Sequence, residues 1–154
     1  MPHLEASYPL DPADRGLGGH APGGLFTCCT RLTRPGRFGR YLAVSPSLCR
    51  DDRLLLDEAR LPAAQDGPRD VYLACGDREG DHPERSWPTM PDAALAAFAR
   101  MNVVADVRVF TDRLRHLPEV AVRADIMPDE QHSTAWRTAF TRGPMHLYRT
   151  DRQP

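Results

Sequence analysis

The run from Gly19 to Gly24 has the spacing of a turn that presents a nucleophile for acyl transfer. In a G-x-S-x-G turn between a strand and a helix, a central serine exposes its hydroxyl and the flanking glycines allow the tight bend. Here Gly19 and Gly23 occupy the flanking positions, and the central residue is Ala21, whose methyl group cannot attack a carbonyl carbon. The next residue, whose N–H would supply half of the oxyanion hole, is Pro22, which has no N–H. The sequence therefore predicts a nucleophile turn that lacks its nucleophile and one oxyanion donor.

The segments around this turn alternate between strand and helix patterns. Strands are predicted at 15–20, 41–44, 71–75 and 120–126, from short apolar runs or alternation. Helices are predicted at 1–8, 25–32, 51–60, 95–114 (where Asn102 can break the helix into two) and 134–148 (disturbed at Gly143-Pro144). A repeated strand–helix order predicts an α/β fold, with a parallel sheet and flanking helices. We expect residues 1–154 to form one domain.

The composition of the chain excludes some classes of partner but does not identify a function. The chain has 154 residues with a formal net charge of -1, so nothing steers it toward nucleic acid or an acidic membrane surface. All 20 basic residues are arginine, which is typical of a GC-rich genome and does not by itself indicate a binding site. No apolar run approaches the roughly 20 residues that span a bilayer, and the first residues lack a signal-peptide pattern. We therefore expect a cytoplasmic protein.

The four cysteines give no sign of a metal or disulfide site. Cys28 and Cys29 are adjacent, Cys49 and Cys75 stand apart, and no C-x-x-C pair occurs. Small buried thiols in a reducing compartment are the better interpretation. We expect neither a metal nor a cofactor.

Five segments in order carry a family resemblance. They are residues 11–17, the turn at 19–24 with Leu25-Phe26, residues 34–41 followed by 45–48, residues 74–79, and residues 130–136. With these segments the chain resembles the C-terminal half of an esterase family of α/β-hydrolases that includes the enterochelin (siderophore) esterases. The resemblance implies part of an α/β-hydrolase fold and hydrolysis of a small-molecule carboxylic ester through a serine nucleophile.

The resemblance also implies roles for individual residues. His132 matches the catalytic histidine, and Ala21 stands at the nucleophile position with Pro22 at the oxyanion position. The acid follows the strand that ends near residue 75, so Asp77 is the first choice and Glu79 the second. We expect His20, next to the turn's central residue, to face away from the nucleophile position and to have a structural role.

Two departures from the family pattern shape the functional hypotheses. Cys49-Arg50 replaces the bulky aromatic residues usual there, and the family's N-terminal half, with its first strands and second oxyanion donor, is not matched. The first hypothesis is an ester hydrolase that is inactive or severely impaired. The second is a non-catalytic pseudoenzyme or binding module that uses an open sheet edge to bind a partner or a second copy. The third is a truncated gene product, which the DNA upstream of the start codon would distinguish from the second.

Overall fold

Four parallel strands form the sheet of this protein. The computed structural model describes residues 2–11, 14–57, 69–80 and 89–149, and every structural statement concerns those residues. The strands are β1 (Gly16–His20), β2 (Arg40–Val44), β3 (Arg69–Gly76) and β4 (Val120–Met127). They pair in the order β1-β2-β3-β4, each parallel to the next. The predicted parallel sheet is confirmed, and because the strands are parallel, their carboxyl ends share one edge.

Helices connect the strands and cover the sheet. They are α1 (Pro2–Ser7), α2 (Pro22–Thr33), α3 (Arg50–Arg53), α4 (Asp92–Met101), α5 (Val103–Arg115) and α6 (His132–Leu147). The expected break at Asn102 is confirmed. This residue has a φ of 41°, and its side chain accepts a hydrogen bond from the N–H of Ala105 at 3.1 Å, which caps α5.

Each face of the sheet has its own apolar cluster. On one face, α2 and α5 cover β2 and β3 with side chains that include Leu32, Tyr41, Leu73 and Phe110. On the other face, α6 packs on the same strands, and Tyr72 is fully buried there. Burial on both faces explains why β2 and β3 are nearly continuous apolar runs, the pattern from which they were predicted.

The helix predicted at 51–60 is wrong over its described part. Only the single turn α3 and a 3₁₀ turn at Leu54–Leu56 form there, and residues 58–60 lie outside the described residues. Asp51, Asp52 and Arg53 have φ values of 50°, 51° and 58°, which are left-handed and incompatible with a continuous right-handed helix. A contact distant in sequence accompanies this conformation, since Arg53 Nε donates to Asp106 Oδ1 at 2.8 Å.

Helix α6 continues through the Gly143-Pro144 pair, where a disturbance was expected. Pro144 lies inside the helix, and its carbonyl still accepts a hydrogen bond from the N–H of Tyr148 at 2.9 Å. The helix therefore runs from the edge that holds the strand ends to the opposite end of the sheet. A 3₁₀ turn at Asp77–Glu79 directly follows β3 and completes the elements that border this edge.

Candidate active site

The carboxyl ends of the four strands bring the residues of interest to one edge. His20 ends β1, Ser45 follows β2, Glu79 follows β3 within the 3₁₀ turn, and His132 begins α6 after β4. In open parallel sheets this edge is the usual place for a ligand. Of the residues that the resemblance implies, Glu79 and His132 lie at this edge, together with His20 and Ser45.

The turn at residue 21 has the backbone of a nucleophile turn. Ala21 has a φ of 52° and a ψ of -116°, an unfavourable conformation for a residue with a side chain. Its N–H donates to the carbonyl of Val44 at 2.9 Å, which holds the turn against β2. A Cβ on Gly19 would lie 2.2 Å from the carbonyl oxygen of Gly23, so the bend requires glycine there. The turn presents a methyl group where acyl transfer needs a hydroxyl.

Pro22 is the first residue of α2 and is exposed. Proline suits this position because its fixed φ matches the first helical turn and the first N–H of a helix has no partner within it. Proline also has no backbone N–H, so residue 22 cannot donate the hydrogen bond that an oxyanion would accept. A residue that is favourable for the helix is thus unfavourable for ester hydrolysis.

Glu79, which is buried, and His132, which is half-buried, form an acid–base pair. Nδ1 of His132 lies 2.7 Å from Oε2 of Glu79, whose side chain is 2% exposed. In a neutral imidazole, a proton on Nδ1 would donate to this carboxylate and leave the lone pair on Nε2. This is the orientation in which a carboxylate fixes a histidine that acts as a general base through Nε2.

Two further donors hold the carboxylate of Glu79. Ser45 Oγ donates to its Oε1 at 2.6 Å, and the N–H of Gly76 donates to the same oxygen at 2.8 Å. Ser45 is fully buried and has a φ of 42°. The buried charge is therefore satisfied on both oxygens, as a buried carboxylate requires.

The carboxylate that bonds His132 is the second choice, Glu79, and not the first choice, Asp77. Asp77 begins the 3₁₀ turn and its side chain is exposed, whereas Glu79, at the end of the same turn, points into the protein. The physical reason is the turn itself, since residues two apart in a 3₁₀ turn face different directions. Sequence spacing alone did not resolve this choice.

His20 contacts His132, which sequence reasoning did not anticipate. Nε2 of His20 lies 3.1 Å from the carbonyl oxygen of His132, and the two ring centroids are 4.6 Å apart. Burial, followed by the proximity of His132, lowers the pKa of His20 below its ordinary value. His20 therefore favours the neutral form and supports the loop that carries His132. The only sequence feature that singled out His20 was its position directly before Ala21.

The described residues contain no group of three or more His, Cys, Asp or Glu side chains arranged to hold a metal ion. None of the helices built from them is long and apolar enough to cross a membrane.

Comparison with known proteins identifies relatives of one kind. The chain is 30% identical over 109 residues to the ferri-bacillibactin esterase BesA of Bacillus subtilis, a match to 68% of this chain and 36% of BesA. It superposes on the siderophore hydrolase EstB of Aspergillus nidulans with a TM-score of 0.79 at 25% identity, covering 99% of this chain and 55% of EstB. It matches no protein-family model.

A third comparison bears on the fold alone. The enterochelin esterase of Shigella flexneri superposes with a TM-score of 0.68 at 21% identity, over 97% of this chain and 34% of the esterase. The chain thus spans between about a third and about half of the length of these relatives.

Proposed function

We propose that this chain, which belongs over the length it spans to the enterochelin esterase-like family of α/β-hydrolases, carries the acid–base part of an ester-hydrolysing site with little or no turnover. The observation that carries the proposal is the contrast at one sheet edge. Glu79, which is buried, is paired with His132, while the nucleophile and oxyanion positions hold Ala21 and Pro22. The residues proposed to act are His132 as base and Glu79 as the group that orients it.

The substrate class we propose is a small-molecule ester of the siderophore type. BesA is named for a ferri-bacillibactin ester and EstB for siderophore hydrolysis. The chain spans little more than half of EstB, so residues that select among such esters can lie in the part of the relatives that it does not match. The proposal is therefore limited to the class.

Any remaining turnover must proceed without a covalent intermediate. Nε2 of His132 would take a proton from a water molecule as the water oxygen bonds to the ester carbonyl carbon. The tetrahedral intermediate would then expel the alkoxide, which regains the proton from the imidazolium. Loss of the serine from such a site removes most catalysis, and the absent N–H of Pro22 removes part of the oxyanion stabilisation as well. We expect rates close to those in buffer.

The test is hydrolysis of a short p-nitrophenyl ester by the purified chain beside its His132→Ala variant. The proposal expects both proteins to be equal to buffer or to differ from each other only slightly. Rapid turnover that His132→Ala abolishes would show that the site works without a serine and would overturn the proposed impairment.

Restoration of the missing groups separates the two defects. Ala21→Ser supplies a hydroxyl, and Ala21→Ser/Pro22→Ala supplies the N–H as well. Because one oxyanion donor is worth about 10²–10³ in kcat, we expect the double variant to exceed the single variant by a large factor. Strong activity of the single variant would show that the N–H of residue 22 is not needed.

A second candidate function is non-catalytic, and β1 favours it. β1, like β4 at the other end of the described sheet, has a neighbour on one side only. Trp136 and Phe140 of α6 and Tyr148, which directly follows α6, are 41%, 40% and 45% exposed, and Phe140 and Tyr148 lie next to Gly18 and Gly16 of β1. Exposed strand edges and aromatic stripes are usually covered by another polypeptide. The occupant we propose is polypeptide equivalent to the part of EstB that this chain does not match.

Sedimentation of the purified chain, alone and mixed with that part of EstB, tests this second function. A one-to-one complex that Phe140→Glu prevents, with Arg137→Glu as the matched surface control, would support it. A stable monomer that ignores the EstB segment would contradict it, and self-association alone would favour a second copy as the occupant.

A further inference from the structure

A cavity of about 210 Å³ lies at the end of α6 remote from His132. It is lined by Tyr72, Arg123, Asp125, Arg142, His146 and Arg149, among others. His132 and His146 are separated by 14 residues of α6, or roughly 21 Å along the helix axis. The cavity is therefore distinct from the candidate active site and is used by no step proposed there.

The floor of the cavity is a built polar network. Tyr72 is fully buried, and its hydroxyl donates to Oδ2 of Asp125 at 2.5 Å. Arg123 donates to both oxygens of the same carboxylate, at 3.0 Å from Nε and 3.3 Å from Nη2. Burial alone would raise the pKa of Asp125, but the hydrogen bonds from Arg123 and Tyr72 outweigh it and lower the pKa. Asp125 thus accepts three hydrogen bonds from two side chains of the cavity floor.

The walls carry positive charge that this carboxylate does not balance. Three arginines line the cavity against one aspartate, so the lining carries a formal excess of two positive charges with His146 neutral. Other arginines of the described chain pair with carboxylates, such as Arg78 with Asp129 and Arg115 with Asp112. Among the described residues Arg142 and Arg149 form no close ion pair, although the positive charge of Arg142 acts on the nearby carboxylates of Asp125 and Glu130. Both guanidinium groups border a space large enough for a small molecule.

We propose that this cavity binds a small dianion, a phosphomonoester or a dicarboxylate, between Arg142 and Arg149. The planar fork of a guanidinium matches the oxygens of a phosphate or a carboxylate and can bind them in a bidentate manner. Two such groups match a ligand with two negative charges. Arg123, which is already hydrogen-bonded to Asp125, contributes positive charge but has no free bidentate face, and Tyr72 belongs to the buried floor that holds Asp125.

Calorimetric titration of the full chain with inorganic phosphate, and separately with succinate, tests the proposal. Sodium chloride at equal ionic strength serves as the control for general screening. The variants are Arg142→Gln and Arg149→Gln, both at exposed positions, so neither change threatens the fold. Arg137→Gln is the matched control, since Arg137 is an exposed arginine of the same helix that stacks on Trp136, 5.6 Å from its ring centroid, and does not line the cavity.

We expect saturable binding of phosphate, succinate or both, weakened about tenfold or more by Arg142→Gln and by Arg149→Gln, and unchanged by Arg137→Gln. The anion that binds tells a phosphomonoester site from a dicarboxylate site. The absence of saturable binding, or an equal effect of Arg142→Gln and Arg137→Gln, would overturn the proposal. Since His132→Ala is expected to leave this binding intact, failure here is distinguishable from failure of the proposed ester hydrolysis.

Discussion

The turn at residues 19–24 and the pair of Glu79 with His132 border the same edge of the sheet, yet only the pair has the groups that the proposed ester hydrolysis would use. The turn keeps its backbone, including the positive φ of Ala21, but presents a methyl group and a proline. The pair keeps a 2.7 Å contact between Nδ1 and a carboxylate oxygen. The turn therefore has a bent backbone without a reactive side chain, whereas the pair has both the contact geometry and the titratable side chains.

The difference is explained by what each group does for the fold. Glu79 accepts hydrogen bonds from Ser45 and from the N–H of Gly76, so it connects the ends of β2 and β3 whether or not His132 acts as a base. The side chain of a nucleophile contributes no comparable contact, because it must face the ligand. An acid–base pair in this fold is thus weaker support for activity than an intact nucleophile would be.

The largest expected effect concerns this structural role. Glu79→Ala removes a buried carboxylate and leaves the donors at Ser45, Gly76 and His132 without it, so we expect a loss of about 3–5 kcal/mol in the free energy of unfolding. Asp77→Ala, two residues away and exposed, should change it by less than about 0.5 kcal/mol. Urea denaturation of both variants measures the difference. Equal unfolding midpoints would show that the Glu79 carboxylate does not have the proposed structural role.

A second pair of variants tests whether the turn is still shaped for a nucleophile. Gly19→Ala would place a Cβ 2.2 Å from the carbonyl oxygen of Gly23 and should destabilise the protein by about 1–3 kcal/mol. Gly23→Ala meets nothing within 4 Å and lies in the first turn of α2, so it should be neutral or stabilising by up to about 1 kcal/mol. Thermal unfolding reports both, and a tolerated Gly19→Ala would show a more open turn.

Strain at the nucleophile position provides a third test. Ala21 has a φ of 52°, which glycine adopts without the cost of a side chain, so Ala21→Gly should raise the free energy of unfolding by about 1 kcal/mol. Ala21→Val, with a branched side chain, is the opposite control and should lower it. Denaturant unfolding measures whether each variant raises or lowers the free energy of unfolding. A destabilising Ala21→Gly would mean that the methyl group packs usefully and that the turn is not strained.

The smallest expected effect is a pH dependence at His20. Burial and His132 lower the pKa of His20 in the folded protein, so the unfolded chain binds its proton more readily. The stabilisation is complete above about pH 6.5, the ordinary histidine value, and declines as the pH falls toward the lowered value. The unfolding free energy should fall between pH 7 and pH 5, and less so in His20→Gln. Identical pH profiles of the unfolding free energy for the two proteins would show that His20 does not contribute to this pH dependence.

The sheet was predictable because its signals are local. The apolar runs at 41–44 and 71–75 are buried on both faces, and that burial produces the pattern. The turn at 51–53 was not predictable, because its left-handed residues accompany the contact of Arg53 with Asp106, which lies 53 residues away. Local propensity carries no information on such a contact.

The predictions for the site also divide into those that follow from local residues and those that depend on tertiary contacts. The residue types at 21 and 22 predict a missing nucleophile and a missing oxyanion donor, and the resemblance implies the role of His132. The choice between Asp77 and Glu79 depended on which side chain the 3₁₀ turn directs inward, and the contact of Ser45 with Glu79 depended on strand order. Sequence supplied the candidates, and the tertiary structure selected between them.

The most direct test of the central claim is covalent labelling of position 21 with a fluorophosphonate, read by mass spectrometry. In Ala21→Ser the introduced hydroxyl would bond to phosphorus as fluoride leaves and His132 takes the proton. We expect no adduct on the wild-type chain, an adduct at position 21 in Ala21→Ser, and its loss in Ala21→Ser/His132→Ala. An Ala21→Ser protein that remains unlabelled, or that is labelled equally without His132, would contradict the claim that a competent acid–base pair faces an empty nucleophile position.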